Sequence, residues 1–472
     1  MDFRRWVIWS FLAQFAIVVL DRGGGFVLSI ILQHYPVEKG NADLVSSLPF
    51  VLTAVANLGL ATSLVYLVRK KRYSVEAAAE TTSLVALVWG GLVALAAIAV
   101  FEFLLPALNP TWEVSPWLYV PLCLCTPLRL LASYLNSLQL ATDRFRDYNL
   151  VQLLESLATL PLWLVCFYGF AMSAPRATSV GRFLQSVLLL VAVLWMVRDF
   201  VRLRPRLHGD FLREGLSLGW KANTVSVLTY LNHRLDIFCI KGLYVGQLLW
   251  TTKQRADAAS VQVTYYSIAM SFAAIVWQVP EATRDLFFSK VASSSHEEAR
   301  KTTPILARLC FSIAILGGVG ISLLIDPLIR MIGWVLPWLY PAWYSGENYS
   351  LYVMPTLWLL VPGTATFALA KILQNDLAGR GRLGLCVLAS VLNLGLMIGL
   401  DVLWIPAEGA LGAARASSIA FLVSSAYTLW IYQKNGGAPW HECVIPRPSD
   451  WQYVREIAVG LLCKLRLRRA SA

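Results

Sequence analysis

Charge is what this sequence has least of. Asp, Glu, Lys and Arg together make up 14% of its 472 residues, while 57% are hydrophobic and the mean hydropathy is +0.60. A soluble domain carries about 25% charged residues, so the soluble class is excluded, and the disordered and collagen-like classes with it. Acidic residues are the scarcer sign, 28 against 40 basic, for a net charge of +12. Histidine is sparse (His34, His208, His233, His296 and His441) and its scatter forms no metal constellation. The eight cysteines include no C-x-x-C pair, which removes a disulfide framework and a zinc or redox site. Six of them lie in apolar stretches and read as small apolar fillers. A small-residue cleavage site after a short apolar core is also lacking, so the first apolar helix is expected to stay in the mature protein.

What the sequence does contain is a series of apolar runs of about 20 residues, the length of helix that crosses about 30 Å of hydrocarbon. Twelve spans are predicted: 7–32, 44–68, 79–105, 115–139, 150–172, 178–198, 216–243, 262–284, 304–325, 351–373, 384–405 and 410–432. The expected fold is an all-α polytopic membrane protein. Pro121 and Pro127 are expected to interrupt the fourth span, Pro161 the fifth, and Pro355 with Pro362 the tenth. Such breaks are tolerated where neighbouring helices satisfy the freed backbone groups.

The basic residues supply the orientation. Arg4 and Arg5, Arg69 to Arg72 with Lys70 and Lys71, Arg144 and Arg146, the arginines between Arg198 and Arg213, and the terminal cluster Lys464 to Arg469 all fall on one side. The opposite connections hold Lys39, Arg176, Lys253, Arg255 and Arg330. By the positive-inside rule both termini are cytoplasmic, and the net charge is mostly a topology signal and not a nucleic-acid-binding face.

The fourth and tenth spans end alike, Leu138-Gln139-Leu140-Ala141 before Arg144-Phe145-Arg146 and Leu373-Gln374 before Leu377-Ala378 and Arg380-Gly381-Arg382. Each is fourth in its half, which points to a duplicated fold with a central cavity. The expected organisation is a six-helix lobe over 1–200, a basic cytoplasmic linker over 201–215, a second six-helix lobe over 216–433 and a cytoplasmic tail over 434–472. Within the tail, 451–462 reads as an interfacial amphipathic helix held by anionic lipid. The connection 326–350, with Trp334, Trp338, Tyr340 and Trp343, reads as an interfacial aromatic belt.

A charge near the bilayer centre costs at least about 2.5–3.5 kcal/mol on insertion scales, so each one inside a span asks for a reason. Asp21 and Arg22 sit in the first span, Arg129 in the fourth, Glu155 in the fifth, and Lys221, Arg234, Asp236 and Lys241 in the seventh. Lys371 and Arg415 lie in the tenth and twelfth. Arg234 and Lys241 share a helix face, whereas Asp236 points about 200° away from Arg234. Lys221, Lys241 and Lys371 lie near span ends, where a long side chain can snorkel to the interface. For Arg22, Arg129 and Arg234 two readings stay open: a cation lining a cavity, or an internal ion pair such as Arg129 with Glu155. The intramembrane set is more cationic than anionic, which suits an anionic cargo. Arg22, Arg129, Arg234 and Lys241 are therefore the candidate substrate-contacting residues. Asp21, Glu155 and Asp236 are the candidates for coupling to a proton or sodium gradient, with no other cofactor and no metal expected.

The segment Tyr-Leu-Asn-His-Arg-Leu-Asp-Ile-Phe at 230–238 resembles the Arg-x-Asp segment in the seventh helix of bacterial polysaccharide transporters. These are the O-antigen flippases of the Wzx type, within the multidrug/oligosaccharidyl-lipid/polysaccharide exporter superfamily. Thr264 to Ala269, Trp277 to Pro280, Phe287 to Ala292 and Leu58 to Leu64 are similar to that family as well. A departure is 247–262, longer and more polar than the turn usual there. The related lipid II flippase also carries a basic residue in its first helix, which Arg22 resembles. The resemblance implies two six-helix bundles in a V, in the bacterial inner membrane. The implied activity is moving an undecaprenyl-pyrophosphate-linked oligosaccharide to the outer leaflet for lipopolysaccharide or O-antigen synthesis, with the polysaccharide polymerase complex as a further partner. It implies a transporter and not an enzyme. Two rivals are a multidrug exporter of the same fold, which calls for a carboxylate-dominated cavity, and a membrane glycosyltransferase or polymerase, which calls for a large outer loop with a catalytic acidic motif.

Overall fold

The computed structural model describes residues 17, 20, 24, 25, 27, 28, 31, 32, 35–108, 115–201, 204, 206–245, 251–277, 296–335 and 347–447. Among them the regular elements are all helical. In chain order the α-helices of five residues or more are α1 Pro36–Ala56, α2 Leu60–Arg69, α3 Val75–Ala99, α4 Pro116–Ala141, α5 Phe145–Leu164, α6 Ala174–Val197 and α7 Gly209–Leu243. There follow α8 Thr252–Ala273, α9 His296–Val335, α10 Glu347–Gly379, α11 Leu383–Glu408, α12 Ala410–Lys434 and the short α13 Trp440–Val444. Eight of these helices are long and apolar enough to cross a membrane, or nine if the bent pair α1–α2 is one span. Most of the predicted first span lies outside the described residues, and Asp21, Arg22 and the amphipathic stretch 451–462 lie outside them as well. The helices α7 and α12 fall outside the apolar set because α7 carries Lys221, Arg234, Asp236 and Lys241 and α12 a series of serines.

The caps are legible chemistry. Ser74 Oγ accepts from Ala77 N–H at 3.1 Å to open α3, and Thr251 and Gln254 form a reciprocal capping box on α8. Four helices close with one shared turn. In α2, α4, α10 and α12 a residue with positive φ (Lys71, Asp143, Gly381 and Gly436) reverses the chain, and the next amide reaches back five residues, as from Arg72 to Leu67 and from Arg382 to Leu377. Superposing the α4 and α10 turns puts the shared Leu–Gln pairs out of register. Gln139 lies four residues before Asp143, and Gln374 seven before Gly381.

The helices α4, α8 and α10 are the most buried spans, at 61–67%, and α3, α5, α9 and α11 the least, at 17–28%. The second group therefore forms the apolar outer face that lipid would cover. Packing repeats between the halves. The second span packs on α4, α3 on α4, α4 on α6 and α5 on α6; in the other half α8 packs on α10, α9 on α10, α10 on α12 and α11 on α12. Across the halves, α1 packs on α7 and α8, and α2 on α7.

Several expectations are corrected. The second span starts at Pro36 and not at 44, so Lys39 belongs to a buried helix and not to an outer loop; it bends by 49° where Leu58 and Gly59 both take positive φ. The prolines of α4, α5 and α10 do not interrupt their helices, which run through them. The polar segment 251–262 is the first half of α8 and not a loop, since the Thr251 cap starts the helix there. The stretches 326–335 and 347–350 extend α9 and α10, which leaves 336–346, outside the described residues, as the connection.

Candidate functional site

A cavity of about 320 Å³ opens where the halves meet. Its wall combines Lys39 and Asp43 of α1, Arg182 and Gln185 of α6, Arg234 of α7 and Ser271 of α8. Lys39 Nζ donates to Asp43 at 2.5 Å, one turn away. Arg182 Nη1 donates to Gln185 Oε1 at 3.0 Å. Among the described residues Arg234 has no ion pair. Among the described residues three cations stand against one carboxylate on this wall, and the partly apolar surroundings keep their field from being screened as it would be in water.

A second cavity of about 350 Å³ lies beside it, among α1, α4, α5 and α7. Here Arg129 is paired with Glu155, the ion pair that the sequence allowed, and its guanidinium lies 4.6 Å from the Phe50 ring centroid. Arg182, on the wall of the first cavity, lies 5.3 Å from the same ring. Gln185 Nε2 donates to both Glu155 O and Thr159 Oγ1 at 2.7 Å. Phe50 and Gln185 therefore tie the two chambers together, with a guanidinium on each side of the account and a cation–π contact for each.

Asp236 turns away from both. It is fully buried among α7, α8 and α12, where Tyr266 Oη and Ser417 Oγ donate to its Oδ2, the latter at 2.7 Å. Asp401 of α11, also fully buried, lies within hydrogen-bonding reach of it. Neither oxygen of Asp401, nor Asp236 Oδ1, meets an N–H or O–H donor among the described residues.

Two crossings close the interface above and below Arg234. At one end Lys241 Nζ donates to Ala256 O (2.9 Å), Ser260 Oγ (2.5 Å) and Asn41 Oδ1 (3.3 Å), and Gly40 abuts the Ser260 backbone so closely that a Cβ there would stand 1.9 Å from Ser260 O. At the other, Gly59 (φ +75°) meets Gly219, with a Cβ on Gly59 falling 2.0 Å from Gly219 O. Beside it Arg72 pairs with Glu214, and Tyr73 Oη donates to Glu214 Oε2 at 3.1 Å. Partial burial first, and then Glu214, hold the Tyr73 phenol above its ordinary pKa.

The structure thus brings Arg234 into the central cavity, and places Arg129 with Glu155 in the adjoining chamber. Lys241 is a correction: its ammonium is consumed by three bonds at the α1–α7–α8 crossing and lines neither cavity. Lys39, Asp43, Arg182 and Asp401 were not singled out from the sequence. Arg182 and Asp401 stand inside predicted spans, so the same rule that marks Asp236 applies to them. Lys39 had no such signal, because its helix was drawn eight residues too short.

No protein-family model matches this sequence, and no curated protein matches it. Solved structures do. The lipid II flippase MurJ in an inward closed conformation matches with a TM-score of 0.68 at 14% identity, over 97% of each chain. An inward-facing multidrug resistance MATE family transporter of the MOP superfamily matches at 0.59 and 12% identity, over 90% of this chain and 94% of that one. A Vibrio cholerae MATE transporter matches at 0.57 and 12%, over 91% and 96%. At such identities the likeness speaks for the fold: the chain has the all-helical fold of the MurJ flippase and the MATE transporters.

Proposed function

We propose that the chain is a flippase that carries an undecaprenyl-pyrophosphate-linked oligosaccharide across the bacterial inner membrane by alternating access, within a cell-surface polysaccharide or O-antigen pathway and beside its polymerase. The observation that supports this reading is the central cavity, where, among the described residues, Lys39, Arg182 and Arg234 stand with one carboxylate, Asp43. Guanidinium groups fit the oxygens of a pyrophosphate bidentately, and a cavity between two halves lets the headgroup pass while the polyprenyl tail stays in lipid. In this reading Arg22 joins the set from the first span, both termini are cytoplasmic, and two lobes of six helices rock about the α1–α7–α8 crossing.

The Asp236–Asp401 pair supplies the coupling. Two carboxyl groups side by side without a basic partner are held by a shared proton or a bound cation, and releasing either on one side only gives the transport cycle its direction. This pair is also the feature that favours the second reading, a cation-coupled multidrug exporter, although it lies away from the cavity that would hold the drug.

The test is reconstitution in liposomes with labelled polyprenyl-pyrophosphate oligosaccharides of several glycan types, read as label reaching the outer leaflet. The expected result is protein-dependent translocation that Arg234→Glu abolishes while the variant still reaches the membrane. No translocation across the glycans, with export of small organic cations instead, would establish the rival.

A further inference from the structure

The second cavity differs in chemistry from the first, and the difference assigns it a ligand. Its only charges among the described residues are Arg129 and Glu155, which cancel. The rest of its polar wall is neutral: the amides of Asn57, Asn136 and Gln152 and the hydroxyls of Thr53, Ser133 and Ser137. Aromatic rings from Phe50, Tyr148 and Tyr230 complete it. Arg129 is 8% exposed, yet its Nη1 has no partner among the described residues, and neither have Asn136 Oδ1 and Thr53 Oγ1. Buried polar atoms without partners are costly, and all three belong to residues of this wall, so a turn of each side chain would offer a donor, an acceptor and a hydroxyl to a ligand that both donates and accepts. A pyrophosphate offers only acceptors and would meet Glu155. A drug cation would meet Arg129. A sugar ring, with hydroxyls that donate and accept and an apolar face for an aromatic ring, satisfies all of these, and a volume of about 350 Å³ lies in the range of small-molecule sites.

We infer that this chamber is a saccharide subsite: it receives the first, uncharged sugars of the cargo while the pyrophosphate occupies the neighbouring cationic cavity, with Phe50 and Gln185 at the boundary. The inference rests on the flippase reading and adds to it that glycan and phosphate are recognised by separate walls.

The experiment compares the affinity of the purified full chain for two water-soluble probes, a short-chain prenyl pyrophosphate and the same compound carrying a neutral di- or trisaccharide, the latter as a panel. The expected result is that at least one glycan tightens binding by about tenfold or more. Thr53→Val and Asn136→Leu, both close in size to the native residues, remove that increment and leave the affinity for the bare pyrophosphate within about twofold. Arg182→Ala weakens both probes alike. Thermal unfolding of each variant at the wild-type temperature guards against loss of fold, and Thr53→Val serves alone if Asn136→Leu fails that check. If the bare pyrophosphate binds and no glycan in the panel adds affinity, or if the increment survives Thr53→Val, the subsite is overturned and the flippase reading stands. If neither probe binds, the flippase reading itself falls.

Discussion

The two halves of this molecule share a packing plan and part company in their charges. The helix pairs that hold α3, α4, α5 and α6 together recur among α9, α10, α11 and α12. On its inner wall the first half sets each carboxylate against a cation, Asp43 against Lys39 and Glu155 against Arg129, with Arg182 on the same wall. The second half keeps its charges apart: Arg234, with no ion pair among the described residues, stands on the cavity wall, while Asp236 and Asp401 are buried away from it and meet no base among the described residues. A duplicated backbone thus supports two different charge arrangements, paired in one half and separated in the other, because backbone hydrogen bonds and apolar packing set where the helices lie while a few polar substitutions set the field between them.

Reversing the cations that both halves bring to the central wall has the largest expected effect. Arg182→Glu combined with Arg234→Glu turns the central wall negative and is expected to lower translocation of a lipid-linked pyrophosphate more than 100-fold in proteoliposomes; activity within tenfold of wild type would remove the cationic wall from the mechanism. Removing Arg129 alone tests whether its charge is spent on Glu155. Arg129→Met leaves a half-buried carboxylate without its partner and is expected to cost about 3 kcal/mol, with most of the loss recovered in Arg129→Met/Glu155→Met, read from chemical unfolding of the protein in detergent. Equal losses in the single and double variants would show that the pair does not act as a unit. Asp401→Asn keeps size and removes one of two adjoining acids. It is expected to leave stability within about 1 kcal/mol and to reduce the stimulation of transport by a proton or sodium gradient about tenfold; an undiminished response would place coupling elsewhere. The smallest effect belongs to a feature both halves share, the left-handed turn that ends α2, α4, α10 and α12. Lys71 carries a side chain in that conformation where Gly381 and Gly436 carry none, so Lys71→Gly is expected to stabilise the chain by about 1 kcal/mol, checked by the same unfolding measurement.

Legibility in the sequence followed the range of the signal. The apolar runs identified nearly every described span, since the length of a membrane helix is a local property. Boundaries drifted where polar residues sit inside a helix: α8 begins at Thr252 on a capping box that the hydropathy pattern obscures, and α1 takes in Lys39 because a buried Lys39–Asp43 pair makes its first turns tolerable. Within one helix the 100° step per residue also sufficed to turn Asp236 away from Arg234, as the structure has them, but it left open whether Arg234 lines a cavity or enters an ion pair. Lys241 shares the face of Arg234 but not its surroundings, because α1 and α8 cross over it.

Composition and periodicity alone determined that this chain is an all-helical membrane protein and which charges its spans must accommodate. Only the tertiary structure decided what each charge meets. Arg129 finds Glu155 across 26 residues, Ser417 reaches Asp236 across 181, and Lys39 enters a cavity completed by Arg182 and Arg234 from helices far along the chain. Solvation cost is read residue by residue, so the sequence reveals that a buried charge needs a partner. The partner's identity depends on how helices distant in sequence pack together, and no local pattern encodes that.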